Sequence, residues 1–168
     1  MTALAPSPSD RNALQVRHVL GRHVLGIAMN GRYLEELVIG QRAERRWVVT
    51  AADIEAFAAV TGDDNPVHLD EAYAATTQFG GRIAHGMLSA SYISAVLGTE
   101  LPGPGAIYVS QMLNFRRPVR IGDEVTAEVT VATIDARRGR VTLRTTCSVA
   151  GKRVLEGEAV VIAPRRAA

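Results

Sequence analysis

The 168-residue chain has one cysteine, few aromatic residues and no long apolar run. The single cysteine, Cys147, excludes a disulfide within the chain and predicts a reducing compartment, the cytoplasm. No apolar run approaches the roughly 18 residues that span a bilayer, so we expect a soluble protein with no membrane partner. Aromatic residues are 5% of the chain and there is no long basic helix, which argues against a nucleic-acid partner.

What remains is the composition of one globular domain. Hydrophobic residues make up 47% of the chain and charged residues 21%, and the length suffices for a substantial core. The net charge of +2 owes much to arginines within residues 137–140 and at 165–166. A few arginines can serve an anionic small ligand, and a solvated turn is the alternative for those at 137–140.

Residues 1–33 differ from the rest. They begin with a Pro- and Ser-rich segment, and several arginines follow with Asp10 as the sole acid. We interpret them as a non-core extension without chemistry, disordered in composition, and residues 34–168 as a single domain. The alternatives are an organellar transit peptide, or upstream sequence before a later start such as Met29.

The most informative stretch is residues 62–70, in which Asp63 and His68 flank Asn65 and Pro66. Because proline disfavours the helical region for the residue before it, the stretch predicts a bend with Asp63 and His68 at its two ends. A carboxylate and an imidazole together can take a proton from water and deliver one to carbon. On these residues alone, a solvated turn with a capping aspartate and an incidental histidine is the alternative.

Helices are predicted on both sides of this bend. Thr50 and Asp53 form a capping-box pattern for a helix that Gly62 ends. Asp70 caps a second, short helix over residues 71–76.

A third helix is predicted from Gly86 to Gly98, apolar on several faces and therefore buried on most sides. Ala90 and Ser94 complete a row of small residues spaced by four along one flank. Gly86 stands at the N-terminus, where unpaired N–H groups and the helix dipole can hold a developing oxyanion.

The second half of the sequence predicts strands. Apolar and polar residues alternate, with short turns between the segments that favour antiparallel pairing. The sequence therefore predicts an α+β hot-dog fold, a central mostly buried helix wrapped by a curved antiparallel β-sheet. An exposed sheet edge favours at least a homodimer. The predicted strands cover residues 42–49, 106–115, 124–134, 141–149 and 153–162.

One known family shares these motifs. Residues 57–68 read Phe-Ala-Ala-Val-Thr-Gly-Asp-Asp-Asn-Pro-Val-His, with Ala74 beyond them, and resemble the signature of the MaoC-like (R)-specific enoyl-CoA hydratases. The resemblance extends over about residues 34–163. It continues through Ala-His-Gly-Met at 84–87, Leu-Pro-Gly-Pro-Gly at 101–105, Phe-Arg-Arg-Pro-Val at 115–119 and Gly-Asp at 122–123.

The resemblance implies reversible syn addition of water to a trans-2-enoyl-CoA, giving the (R)-3-hydroxyacyl-CoA, by a homodimer or dimer of dimers. Carried over, Asp63 and His68 are the catalytic pair, and the backbone N–H of Gly86 polarises the thioester carbonyl. Ser94 matches a polar position near the catalytic acid, and Asn65 orders the bend. Arg116 and Arg117, with the arginines at 137–140, are candidates for the coenzyme A phosphates.

This chemistry needs neither a metal nor another cofactor. His18, His23 and His85 do not cluster with carboxylates at ligand spacing in the sequence, so no metal site is expected. His85 is expected to cap or pack at the start of the third helix rather than to catalyse.

Other functions stay open at this point. A 3-hydroxyacyl-carrier-protein dehydratase of fatty acid synthesis runs the same reaction backwards on another carrier. A non-catalytic acyl-CoA-binding regulator would not need both Asp63 and His68. A thioesterase is possible on this fold, but the Asp-x-Asn-Pro-x-His bend argues against it.

Overall fold

The computed structural model describes residues 31–166. After a 3₁₀ turn, Leu34–Glu36, come strand β1, Arg42–Val48, and helix α1, Ala51–Thr61. Two short helices follow, α2, Pro66–Leu69, and α3, Glu71–Thr76, and then the longest helix, α4, Gly86–Thr99. The remaining strands are β2, Ile107–Phe115, β3, Glu124–Asp135, β4, Arg140–Val149, and β5, Lys152–Ile162.

The five strands form one antiparallel sheet in the order β1-β3-β4-β5-β2. Tight hairpins join β3 to β4 and β4 to β5, so these neighbours in sequence are also neighbours in the sheet. Strand β2 precedes β3 in the chain but pairs with β5, which leaves β2 at one edge and β1 at the other.

The core lies between the sheet and α4. Alternate residues of β3 from Val125 to Val131 are fully buried, as the period-2 pattern predicts for one face of a sheet. From α4, Ile93, Val96 and Leu97 are buried to the same degree. Each such aliphatic side chain contributes about 1.5–3 kcal/mol by leaving water. The α+β hot-dog prediction is therefore consistent with the observed layers, a helix packed on one antiparallel sheet.

Helix α4 is less enclosed than its composition predicts. Half of its residues are buried, while Met87, Ser91, Ser94 and Gly98 are exposed along one flank. The spacing of three to four residues places this flank opposite the side that packs on the sheet.

Cys147 of β4 lies directly beneath α4. Its side chain is fully buried, and its thiol donates to the backbone oxygen of Ser89 over 3.4 Å. Burial raises the pKa of the Cys147 thiol to about 12, since the thiolate would lose its hydration there. A thiol in this setting is chemically inert at neutral pH.

The predicted extension falls largely outside the described part of the chain, which begins at residue 31. Of its last residues, Arg32 donates its backbone N–H to the carbonyl of Pro102 over 2.7 Å. Within residues 31–166, no helix has the length and apolar character required to cross a membrane.

Candidate active site

Helix α1 delivers Asp63 to the site. The Thr50 hydroxyl accepts the N–H of Asp53 over 3.1 Å, and the Asp53 carboxylate accepts the Thr50 N–H over 2.8 Å, which confirms the capping box. At the other end Gly62 takes a left-handed φ of 76° and donates to the Ala58 carbonyl. The chain leaves the helix at this glycine, and Asp63 follows it with an exposed side chain.

The bend predicted around Asn65 and Pro66 contains a helical turn that the sequence analysis did not anticipate. Asn65 caps α2 by accepting the Val67 N–H on its side-chain oxygen over 3.2 Å, and Pro66 occupies the first helical position. Proline is favourable there because that N–H has no intrahelical acceptor and the fixed φ suits a helix. Asn65 also donates its own N–H to the Asp63 carboxylate over 3.4 Å. Asn65 thus links the segments that carry Asp63 and His68.

His68 is buried on α2, with 9% of its surface exposed. Its Nδ1 lies 2.8 Å from the carbonyl oxygen of Ile83. Because a carbonyl only accepts, Nδ1 carries the proton, and Nε2 of the neutral ring presents a lone pair. The side chain of Arg82 also holds His68, because its Nε donates to the backbone carbonyl of His68 over 2.7 Å. In this tautomer Nε2 is the nitrogen of His68 that can accept a proton.

His85 joins this pair, which corrects the expectation that it does not cluster with a carboxylate. One carboxylate oxygen of Asp63 and one ring nitrogen each of His68 and His85 lie within 4.8 Å of one another. The two imidazoles stack with centroids 3.8 Å apart, and His85 Nε2 lies 2.9 Å from the backbone oxygen of Asp63. The clustering arises because α2 and the segment before α4 fold back on each other, which residue spacing does not reveal.

Gly86 begins α4, so its N–H has no intrahelical acceptor. A Cβ at this position would lie 2.7 Å from the ring of Phe115, so only glycine fits beneath that ring as it stands. The glycine thus lets the ring of β2 cover the helix N-terminus closely.

A cavity of about 300 Å³ opens beside this N-terminus. His68, His85, Gly86 and the buried Ser89 contribute to its wall. The lining residues do not include Ser94, which is exposed two turns along α4, nor Asp63. Ser89 escaped the sequence analysis, although its position three residues after Gly86 places both on one helix face. Apolar side chains supply most of the remaining wall: Phe79, Ile83, Ala84, Phe115, Pro118, Val119, Val154 and Leu155.

Two arginines complete the cavity wall, and both already have partners within the chain. Arg116 pairs with Glu156 over 2.6 Å, and Arg117 donates to the backbone oxygen of Arg153 over 2.6 Å. Hydrogen bonds from Arg116 and then Arg153 hold the pKa of the half-buried Glu156 carboxyl below its usual value. The two arginines expected to bind phosphates therefore already make hydrogen bonds within the chain, and the charge of Arg116 is partly balanced by Glu156.

The three clustered residues suit proton transfer better than metal binding. A metal such as Zn²⁺ requires the nitrogen lone pairs to meet at one point about 2.0–2.1 Å from each nitrogen. Those lone pairs lie in the ring planes, and two rings stacked 3.8 Å apart with a 32° tilt direct them side by side instead. Each histidine also uses one nitrogen on a backbone carbonyl.

Fold and site together define a hot-dog protein that carries a carboxylate and an imidazole beside a helix N-terminus. A family model described as "MaoC like domain" matches residues 37–153. The chain belongs to this family, as its motifs predict.

Curated relatives and solved structures agree. The chain is 58% identical over 134 residues to an (R)-specific enoyl-CoA hydratase of Rhodospirillum rubrum, covering 80% of this chain and 93% of that one. It is 52% identical to a 3-hydroxybutyryl-CoA dehydratase of Methylorubrum extorquens, covering 80% and 85%. Among solved structures it resembles the unliganded R-hydratase PhaJ1 of Pseudomonas aeruginosa, with a TM-score of 0.77, 50% identity and coverage of 81% and 88%.

Proposed function

We propose that the protein is an (R)-specific enoyl-CoA hydratase, a hydro-lyase of fatty acid metabolism that reversibly adds water to a trans-2-enoyl-CoA. The observation that carries this proposal is the pairing of Asp63 with a His68 whose Nε2 lone pair is free, beside the N-terminus of α4. The relatives named hydratase and dehydratase support the same reaction in its two directions.

In the forward reaction one water is held by Asp63 and His68. Its oxygen attacks C3 of the enoyl group while one of its protons passes to the carboxylate or to Nε2. The π electrons of the C2–C3 bond move to the thioester oxygen, giving an enolate. The captured proton is then returned to C2, so the net change is the addition of one water. Because both groups lie on one side of the substrate, the hydroxyl and proton reach the same face. The relative named (R)-specific supports the (R) configuration at C3 of the product.

The enolate oxygen needs a donor, and we assign this role to the N–H of Gly86. This N–H is unpaired within its helix and lies at the positive end of the α4 dipole. A donor fixed before the reaction stabilises charge as it develops, without reorganisation. Ser94 remains a candidate polar contact, and its exposure on α4 places it outside the cavity of the single chain.

We propose further that the active form is a homodimer or a dimer of dimers in the cytoplasm. Edge strand β2 supports this because it combines unpaired backbone groups with exposed apolar side chains. These side chains are Ile107, Tyr108, Val109, Met112 and Phe115. Residues 1–33 are proposed as an extension without chemistry, and a chain that starts at Met29 is expected to retain turnover.

The test is a panel of trans-2-enoyl-CoA substrates from four to twelve carbons, followed by loss of the enoyl absorbance. We expect hydration of at least one chain length, with product of (R) configuration. An (S) product would contradict the proposed (R) specificity. Activity confined to acyl-carrier-protein thioesters would establish the dehydratase alternative. Substrate binding without turnover across the panel would favour a non-catalytic regulator.

A further inference from the structure

We infer that His85 is a positioning residue, whose Nε2–H donor sets the distance between Asp63 and His68. This inference rests on the proposed function and adds to it a role for a residue outside the acid–base pair.

The first observation is the hydrogen bond from Nε2 of His85 to the backbone of Asp63. His85 occupies the N-cap position of α4, but its side chain makes no capping hydrogen bond. Its Nε2 lies 2.9 Å from the backbone oxygen of Asp63, and this oxygen only accepts, so Nε2 carries the proton. Asp63 lies on an exposed loop after α1, and this bond ties its backbone to the start of α4.

The second observation is that the same ring supports His68. The imidazoles of His68 and His85 stack at 3.8 Å, and Phe57 contacts the His85 ring at 5.0 Å. His85 is 2% exposed, so its ring has little room to turn. One fixed ring therefore contacts the side chain of His68 and the backbone of Asp63 at once. Because His85 directly precedes Gly86, it also connects this pair to the proposed oxyanion donor.

The third observation separates this role from packing. Among the described residues, the buried Nδ1 of His85 has no hydrogen-bond partner. Leaving a buried acceptor unpaired is unfavourable, and an apolar ring would fill the space without that cost. The site thus retains an imidazole where packing alone favours phenylalanine, and the Nε2 donor is what an apolar ring cannot supply.

Three substitutions isolate the donor from the ring. His85→Phe keeps an aromatic ring and removes the donor. His85→Gln removes the ring but extends an amide N–H to about the position of Nε2, whereas the shorter amide of His85→Asn cannot reach Asp63. Tyr92→Phe is the matched control, since it removes one polar atom from another buried ring of α4, which stacks on Trp47 away from the cavity.

Kinetics with trans-2-butenoyl-CoA decide the matter, with circular dichroism to show that each variant is folded. We expect His85→Phe and His85→Asn to lose kcat by about 10²-fold with little change in KM, because a displaced catalytic group affects mainly the transition state. His85→Gln should stay within about tenfold of the unmodified enzyme, and Tyr92→Phe should match it.

The opposite order, with His85→Phe active and His85→Gln inactive, would show that packing alone explains the residue. Equal losses in His85→Phe and His85→Gln would show that the imidazole itself takes part in proton transfer, and would also overturn the inference. If His85→Phe does not fold, the comparison of Gln with Asn still decides. An unmodified enzyme inactive on every enoyl thioester would refute the proposed function instead, whatever the variants do.

Discussion

At the scale of single residues, the tautomer of His68 decides what the site can do. The Ile83 carbonyl fixes the proton on Nδ1 and leaves Nε2 as a base beside the Asp63 carboxylate. A ring nitrogen of His68 lies within 4.8 Å of a carboxylate oxygen of Asp63, a separation that one water can bridge with two hydrogen bonds of about 2.7–2.8 Å. In this arrangement Asp63 and His68 act together on one water.

The first prediction follows from the shared action of Asp63 and His68 on one water. Asp63→Asn keeps the shape and loses the base, and His68→Gln keeps hydrogen bonding and loses the proton acceptor. We expect each to lower kcat by about 10²–10⁴-fold with a much smaller effect on KM. The double variant should be little worse than either single one, because residues that act as a unit are not additive. Steady-state kinetics of all three variants test this, and multiplicative losses would indicate two independent roles.

The second prediction concerns the backbone of Gly86. Gly86→Val should lower kcat by about 10²–10³-fold, since the added side chain pushes against Phe115 and moves the oxyanion donor from the thioester oxygen. Gly98→Ala is the matched control on the same helix, because a Cβ there meets nothing within 4 Å. Near-normal kcat in a folded Gly86→Val enzyme would place the oxyanion donor elsewhere.

At the scale of elements, the one-turn helix α2 depends on groups outside itself. Four residues are too few for a helix that is stable alone, so α2 is stabilised by the cap at Asn65 and Pro66 together with its tertiary contacts to Arg82 and Ile83. His68 lies on this turn, and its orientation depends on the turn being intact.

The third prediction uses this dependence. Asn65→Ala removes the cap and should cost about 1 kcal/mol of stability, together with a loss in kcat. Asn65→Asp should retain both, because aspartate caps as well as asparagine. Thermal unfolding and kinetics of the two variants provide the measurement. Equal behaviour of Ala and Asp would mean that the cap does not position His68.

The elements also show what sequence reasoning can reach. The capping box at Thr50, the glycine end of α1 and the alternating strands are local signals, and the structure has them within a residue or so of their predicted bounds. The helical turn α2 was missed because the Asn-Pro pair fits a bend and an N-cap equally well. The stacking of His85 on His68 was missed because it depends on tertiary folding across seventeen residues of chain.

At the scale of the whole molecule, the exposed edge strand β2 leads to the fourth prediction. Met112→Lys places a charge on an exposed apolar position of that edge and should shift the oligomer to monomer in light scattering. Val60→Lys is the control, since Val60 is apolar and 86% exposed on α1, away from the edge. An active unmodified monomer at assay concentration would refute the dimer proposal.

The buried thiol of Cys147 can report the transient separation of α4 from the sheet. The chain's single thiol lies between α4 and the sheet, so a labelling reagent reaches it only when helix and sheet separate. Its labelling rate therefore measures how often α4 separates from the sheet, and no probe has to be introduced. The thiol donates to the backbone of Ser89, and Ser89 also lines the cavity. A substrate bound in the cavity should therefore stabilise this part of α4 and lower the labelling rate of Cys147.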